Sequence, residues 1–84
     1  MKTFKHLEFR PHPLGNGSVM SRVEFDNGTF ISVVGGCDGL YGNGKTSFEV
    51  MSTVTLRRAN GVDGWLSKRE ITRRMKYLQS LKKV

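Results

Sequence analysis

Cysteine is almost absent from this sequence. Cys37 stands alone, so an internal disulfide is excluded, a pattern that fits a reducing compartment. A nucleophilic cysteine needs a basic neighbour to lower its pKa, and Asp38 beside Cys37 works the other way. Histidine is nearly as scarce. His6 and His12 have no cysteine beside them and no acidic residue at a ligand spacing, well short of the roughly four close ligands of a zinc site. No metal or other cofactor is therefore expected. No apolar run approaches the roughly 18 residues of a membrane span, and the opening MKTFKHLEFRP has no continuous apolar stretch of the kind a secretory signal needs. The expected location is the cytoplasm, with no membrane partner. Asn16-Gly-Ser and Asn27-Gly-Thr accordingly read as turns rather than glycosylation sites. Negative charge is also sparse. Of the seven carboxylates none forms an evident acid–base pair in the sequence, so no catalytic residues are assigned and an enzyme is not expected.

The 84 residues make one domain, 1–84, with room for one sheet and one or two helices. The net charge is +7, unevenly spread. Residues 1–56 carry five basic and five acidic side chains, whereas residues 57–84 carry nine basic against two acidic, so the whole excess lies in the last third. That asymmetry points to an acidic partner, either a protein surface or nucleic acid.

The sheet is expected within residues 3–57, organised around VEFDNGTFISVV, residues 23–34. Asn27-Gly28 between two β-branched runs predicts a hairpin with a two-residue type I′ turn. Residues 3–10 predict a short strand ended by Pro11 and Pro13. Residues 18–25 alternate, with Val19, Ser21, Val23 and Phe25 on one face. Residues 29–34 are apolar on both faces and predict a central strand. Residues 46–57 return to period two, with Phe48, Val50, Val54 and Leu56 sharing a face. Between them the glycine-rich stretch 35–45 predicts a loop with Leu40 and Tyr41 as anchors, and Asn60-Gly61 and Asp63-Gly64 predict a further turn region. A helix over 67–82 has clear boundaries. Ser67 and Glu70 are spaced as a capping box, and Leu66 with Ile71 as a hydrophobic staple. Ile71, Met75, Leu78 and Leu81 form one apolar stripe, and at about 100° per residue Arg69, Arg73, Lys76 and Lys83 fall opposite it. The fold class is therefore α+β: a three- to four-stranded, mainly antiparallel sheet with one C-terminal helix on one face. The core is expected to hold Val19, Val23, Phe25, Ile31, Val33, Phe48, Val50, Val54, Leu56, Trp65, Leu66, Ile71, Met75 and Leu78, with Trp65 roofing the sheet.

Residues 39–46, GLYGNGKT, match the phosphate-loop pattern G-x-x-x-x-G-K-[ST]. That chemistry requires the loop to open a helix whose amides hold the phosphates. Here SFEVMSTVTL follows and reads as a strand, so a glycine-rich connection ending on an exposed lysine is the better reading. The basic helix is the best binding candidate. The residues assigned to partner or phosphate contact are Arg57, Arg58, Arg69, Arg73, Lys76, Lys83, Lys45 and Tyr41. The same cations would serve nucleic-acid phosphates, although the phenylalanines sit in strand patterns and suit a core better than base stacking. An open sheet edge would also allow pairing with a second copy.

Residues 25–34 (FDNGTFISVV), 39–42 (GLYG), 48–50 (FEV) and 64–71 (GWLSKREI) together resemble a group of small bacteriophage-encoded accessory proteins. Their shared pattern is an F-x-N-G-Y-G-x-S-V-V strand, a glycine- and tyrosine-rich loop, a Y-E-V strand and a G-Y-L-T-x-x-E-V segment. The likeness covers roughly residues 20–80. Thr29-Phe30 replaces the usual tyrosine-glycine, and the helix is basic where related ones often are acidic. The resemblance implies stoichiometric binding to a host protein, in the host cytoplasm, which modulates or inhibits it. Nucleic-acid-handling and defence factors, the latter in the manner of an anti-CRISPR protein, are the implied targets. It implies no catalytic residues.

Overall fold

Six elements follow one another as β1 (Arg10–Pro11), β2 (Val19–Glu24), β3 (Phe30–Gly35), β4 (Phe48–Ser52), β5 (Asp63–Leu66) and α1 (Lys68–Ser80), with 3₁₀ turns at Phe4–His6 and Thr55–Arg57. The structure, a computed structural model, describes residues 1–36, 40–57 and 61–82. The strands form one sheet in chain order, and every neighbouring pair is antiparallel. The α+β class stands, with five strands rather than three or four. The helical stripe of Ile71, Met75 and Leu78 is buried in one cluster with Ile31, Val33, Phe48, Val50, Phe25 and Leu7. Burying each large aliphatic side chain contributes about 1.5–3 kcal/mol, so this layer holds the helix to the sheet. Phe4, Phe9 and Phe48 close one end of the core, their ring centroids 5.2–5.6 Å apart.

The β2–β3 hairpin has the expected register, Val19↔Gly35 to Glu24↔Phe30, but a different turn. Phe25 N–H donates to the Thr29 carbonyl (2.8 Å) and Gly28 N–H to the Phe25 carbonyl (3.0 Å). Gly28 has φ +87°, whereas Asn27 is not left-handed. This is a three-residue turn with a glycine bulge rather than type I′. The reason lies in the Asn27 side chain. Its Nδ2 donates to the carbonyls of Leu78 (2.7 Å) and Leu81 (3.0 Å) at the end of α1. Its Oδ1 accepts from Thr29 N–H (3.1 Å) and the Thr29 hydroxyl (2.7 Å). The turn serves as the C-terminal cap of the helix.

Three further expectations are corrected. Residues 3–10 do not form a strand beyond Arg10. His6 Nδ1 accepts from Thr3 N–H (2.9 Å), and Phe4 N–H donates to the Thr72 hydroxyl (3.1 Å), so the segment winds into a 3₁₀ turn against α1. The strand over 46–57 ends at Ser52. Thr55 Oγ1 accepts from Ser52 N–H (2.7 Å) and lies 2.8 Å from the Gly61 carbonyl, and the chain there turns into a 3₁₀ helix. Leu56 is thereby turned out to solvent instead of joining the core, while Thr55 and Ser52 are buried. Asp63-Gly64, expected in a turn, lies in β5, paired to β4 with a register shift between Phe48 and Val50. Val19, Val23, Val54 and Leu66 pack at the core margin. The expectations for Cys37, the start of the 39–46 pattern, Arg58, Asn60 and Lys83 lie outside the described residues.

Helix α1 begins as expected. Ser67 Oγ accepts from Glu70 N–H (3.1 Å), and Glu70 accepts from Ser67 N–H (3.0 Å). The bond from the Ser67 backbone, then that from its hydroxyl, then the charges of Arg73 and Arg74 hold the Glu70 carboxyl below its ordinary pKa.

Two predictions follow from these caps. Asn27→Ala removes four hydrogen bonds and takes the Asn27 donor from the Leu81 carbonyl, while the Leu78 carbonyl keeps Leu81 N–H and the Thr29 hydroxyl; it should cost about 2–3 kcal/mol in urea unfolding, and a loss under about 0.5 kcal/mol would contradict the capping role. Because Glu70 has a lower pKa folded than unfolded, its contribution is present above the unfolded value and vanishes as pH falls through the folded one. Wild-type stability should therefore drop more steeply than that of Glu70→Gln as pH falls through and below the ordinary carboxylate range, which thermal melts across that range will show.

Candidate functional site

At about 100° per residue, the outward face of α1 carries Arg69, Arg73 and Lys76, with Tyr77 one turn after Arg73. All four side chains are exposed. Arg74 has a different position and a different fate. It sits on the flank nearer β5 and pairs with Asp63 at 2.6 Å, the two side chains being 25% and 20% exposed. Among the described residues the other ion pair is Arg22–Glu24 (3.4 Å), so Arg69, Arg73 and Lys76 enter no internal ion pair. One arginine pins the helix to the sheet edge, and three cations face outward.

The remaining assigned residues are dispersed. Lys45 precedes β4 and Arg57 follows it, at opposite ends of the strand, and both are exposed. Lys45 shares with Lys68 an apolar groove of about 350 Å³ floored by Phe4, Phe9 and Phe48. Lys68 Nζ lies 5.7 Å from the Phe4 ring centroid. Tyr41 is at the β5 edge, away from that groove's lining.

The phosphate-loop letters fold into something else. Asn43 Oδ1 accepts from the N–H groups of Lys45 (2.8 Å), Thr46 (2.8 Å) and Ser47 (3.1 Å). The amides that a nucleotide site would offer to phosphate thus converge on a side-chain oxygen of the loop itself. Lys45 and Thr46 lead into β4, as expected, and not into a helix.

Trp65 departs from its expected place as the roof of the sheet. It is 62% exposed, and its φ of +58° is left-handed, a region unfavourable for a bulky side chain. The register shift in β4–β5 pairing accompanies this local reversal. Trp65 N–H donates to the Tyr41 carbonyl (2.6 Å). Tyr41, 55% exposed, packs on the backbone of Gly64, where a Cβ would stand 2.5 Å from that of the tyrosine. Tyr41, Val62, Gly64 and Trp65 line an open cleft of about 470 Å³. Two aromatic side chains are held in solvent at a backbone strain of order 1–2 kcal/mol. The sequence offered one signal for this, the Gly64-Trp65 pair beside the helix cap. Tyr77 was legible only as a residue off the apolar stripe, four positions after Arg73.

Both histidines have local roles: His6 in the 3₁₀ turn, and His12, whose Nδ1 accepts from Leu14 N–H at 3.0 Å. Among the described residues no group of three or more His, Cys, Asp or Glu side chains could hold a metal ion. No described helix is long and apolar enough to cross a membrane. In comparison with known proteins, no family model, no curated protein and no solved structure matches this chain.

Because the Trp65 side chain is largely in solvent while its backbone is left-handed, Trp65→Gly should leave stability unchanged or raise it by about 1 kcal/mol in urea unfolding. A loss above about 1.5 kcal/mol would make Trp65 a structural residue after all.

Proposed function

We propose that this chain is a non-enzymatic binding protein that engages an acidic surface on a protein partner through the outward face of α1. The observation that carries this reading is the exposure of Arg69, Arg73 and Lys76 on one helix face, outside any internal ion pair among the described residues. Arginine, tyrosine and tryptophan dominate the energetics of protein interfaces, and Arg73 with Tyr77 on the helix and Trp65 with Tyr41 at the sheet edge supply those types in solvent. A net charge of +7 speeds encounter with an acidic partner. The resemblance to small bacteriophage proteins narrows the proposed target to a host protein in the host cytoplasm. The proposed effect is modulation or inhibition of a nucleic-acid-handling or defence factor.

One observation favours a second reading, direct binding of nucleic acid. Tyr77 stands beside Arg73 on the same exposed face, so a base could stack where the cations hold phosphates.

The combined variant Arg69→Glu, Arg73→Glu, Lys76→Glu tests both. These side chains are exposed, and folding stability should change by less than about 1 kcal/mol. In affinity capture from nuclease-treated bacterial lysate, the wild type should retain a protein that this variant does not. Labelled DNA and RNA, titrated at two salt concentrations, should show no tight binding to either chain. Steeply salt-dependent binding lost in the variant would favour the nucleic-acid reading, and equal retention of the protein by both chains would remove α1 from the interface.

A further inference from the structure

The two edges of the sheet are finished differently. The β5 edge carries a register shift and the left-handed Trp65, and the Tyr41 carbonyl already takes the Trp65 N–H. Those features blunt an edge. At the other edge β1 pairs only Arg10 with Met20 and Pro11 with Val19. On that side the rest of β2 has no strand beside it among the described residues. Phe25 N–H bonds across the hairpin to Thr29, so in the antiparallel alternation Val23 and Ser21 also turn their polar backbone groups toward β3. The amides and carbonyls of Arg22 and Glu24 therefore point outward, and no backbone partner meets them among the described residues. A groove of about 310 Å³ runs along this edge, between Ser21, Arg22 and Val23 on β2 and the N-terminal segment, which contributes Lys2, His6 and Glu8.

We propose that a second copy of this chain occupies this edge, β2 against β2, about a two-fold axis at Val23. The uncovered segment, residues 21–25, is symmetric about Val23: β1 limits it on one side, and the hairpin turns away at Asp26 on the other. An antiparallel partner must match outward-pointing residues with one another. The register centred on Val23 sets Arg22 opposite Glu24 of the second copy, and Glu24 opposite its Arg22. That gives two hydrogen-bonded pairs and two opposite-charge pairs on the sheet face away from α1. Registers centred on Arg22 or on Glu24 place like charges directly opposite and are disfavoured. Within one chain Arg22 meets Glu24 at 3.4 Å and lies 4.3 Å over the Phe30 ring, and the two charged side chains are 47% and 74% exposed, so the pairing across the axis exchanges the intrachain Glu24 contact of each chain for two between copies. The two-fold axis stands perpendicular to the sheet, so both helices lie on the same face of a continuous ten-stranded sheet. This inference does not depend on the binding role proposed for α1.

Sedimentation equilibrium at physiological salt, where the long-range repulsion between two +7 chains is screened beyond about 8 Å, tests the pairing. Between about 10 µM and about 1 mM, the range suited to an interface this small, the wild type should associate to a dimer. Arg22→Glu and Glu24→Arg should each weaken the dimer about tenfold or more. An equimolar mixture of these two variants should form heterodimers, and the double variant Arg22→Glu, Glu24→Arg should dimerise like the wild type. Circular dichroism will confirm that each variant is folded. A wild type that stays monomeric throughout overturns the proposal. So does a dimer indifferent to both single reversals, or a mixture that does not associate.

Discussion

A single amide side chain joins the beginning of this fold to its end. Asn27 lies in the β2–β3 hairpin, and α1 ends some fifty residues later, yet the Nδ2 of one bonds the last carbonyls of the other. Helix ends leave carbonyls without internal partners, and the last turn of α1 contains no basic side chain to supply one. Thr29 reinforces the joint: its hydroxyl lies 2.7 Å from Asn27 Oδ1 and 3.2 Å from the Leu78 carbonyl. With Ser67 and Glu70 at the other terminus, the helix is fixed at both ends. Its buried stripe then needs no further guide to meet β3 and β4.

Fixing the helix by caps and by apolar packing has an electrostatic consequence. Among the described residues, charged groups take a small structural share, the Glu70 carboxylate at the first turn and Arg74 with Asp63 on one flank. Cations on the outer face are released from it. The aromatic edge follows a related division. Trp65 contributes a backbone N–H to the fold but leaves its ring outside, and Gly64 lets Tyr41 lie against the strand. The cations stand on a regular helix, and at the aromatic edge Trp65 lies in β5 while Tyr41, in the β3–β4 loop, is held by its carbonyl to Trp65 N–H.

The sequence was most informative where structure is decided locally. Val19–Glu24 alternates strongly enough to fix its faces, Phe30–Gly35 is apolar on both faces and reads as a central strand, and Ser67 with Glu70 marks the helix start within one turn. The outward cations followed from the same periodicity that located Ile71, Met75 and Leu78. It was least informative where a distant group decides. Leu56 fits period two with Val50, but the Thr55 hydroxyl, reaching Gly61, bends the chain before Leu56 can turn inward. Trp65 looks like core by composition, and only its pairing with Tyr41 across the β5 edge sends it outward. Asn27-Gly28 was legible as a hairpin but not as a particular turn, since the deciding partner lies in α1. The phosphate-loop letters mislead for the converse reason: the pattern records spacing, while Asn43 determines where the amides point.

Asn27 is followed by glycine, the dipeptide in which succinimide closure and loss of ammonia are least hindered. Closure requires the Gly28 nitrogen to swing onto the Asn27 side-chain carbon. In the folded chain that nitrogen is bonded to the Phe25 carbonyl at 3.0 Å, and the departing Nδ2 is held by two others. Deamidation at this site is thus confined to molecules that have opened. Each event would leave an aspartate or isoaspartate facing helix-end carbonyls, unable to donate to them, so chemical ageing and loss of the native state feed one another through one nitrogen atom.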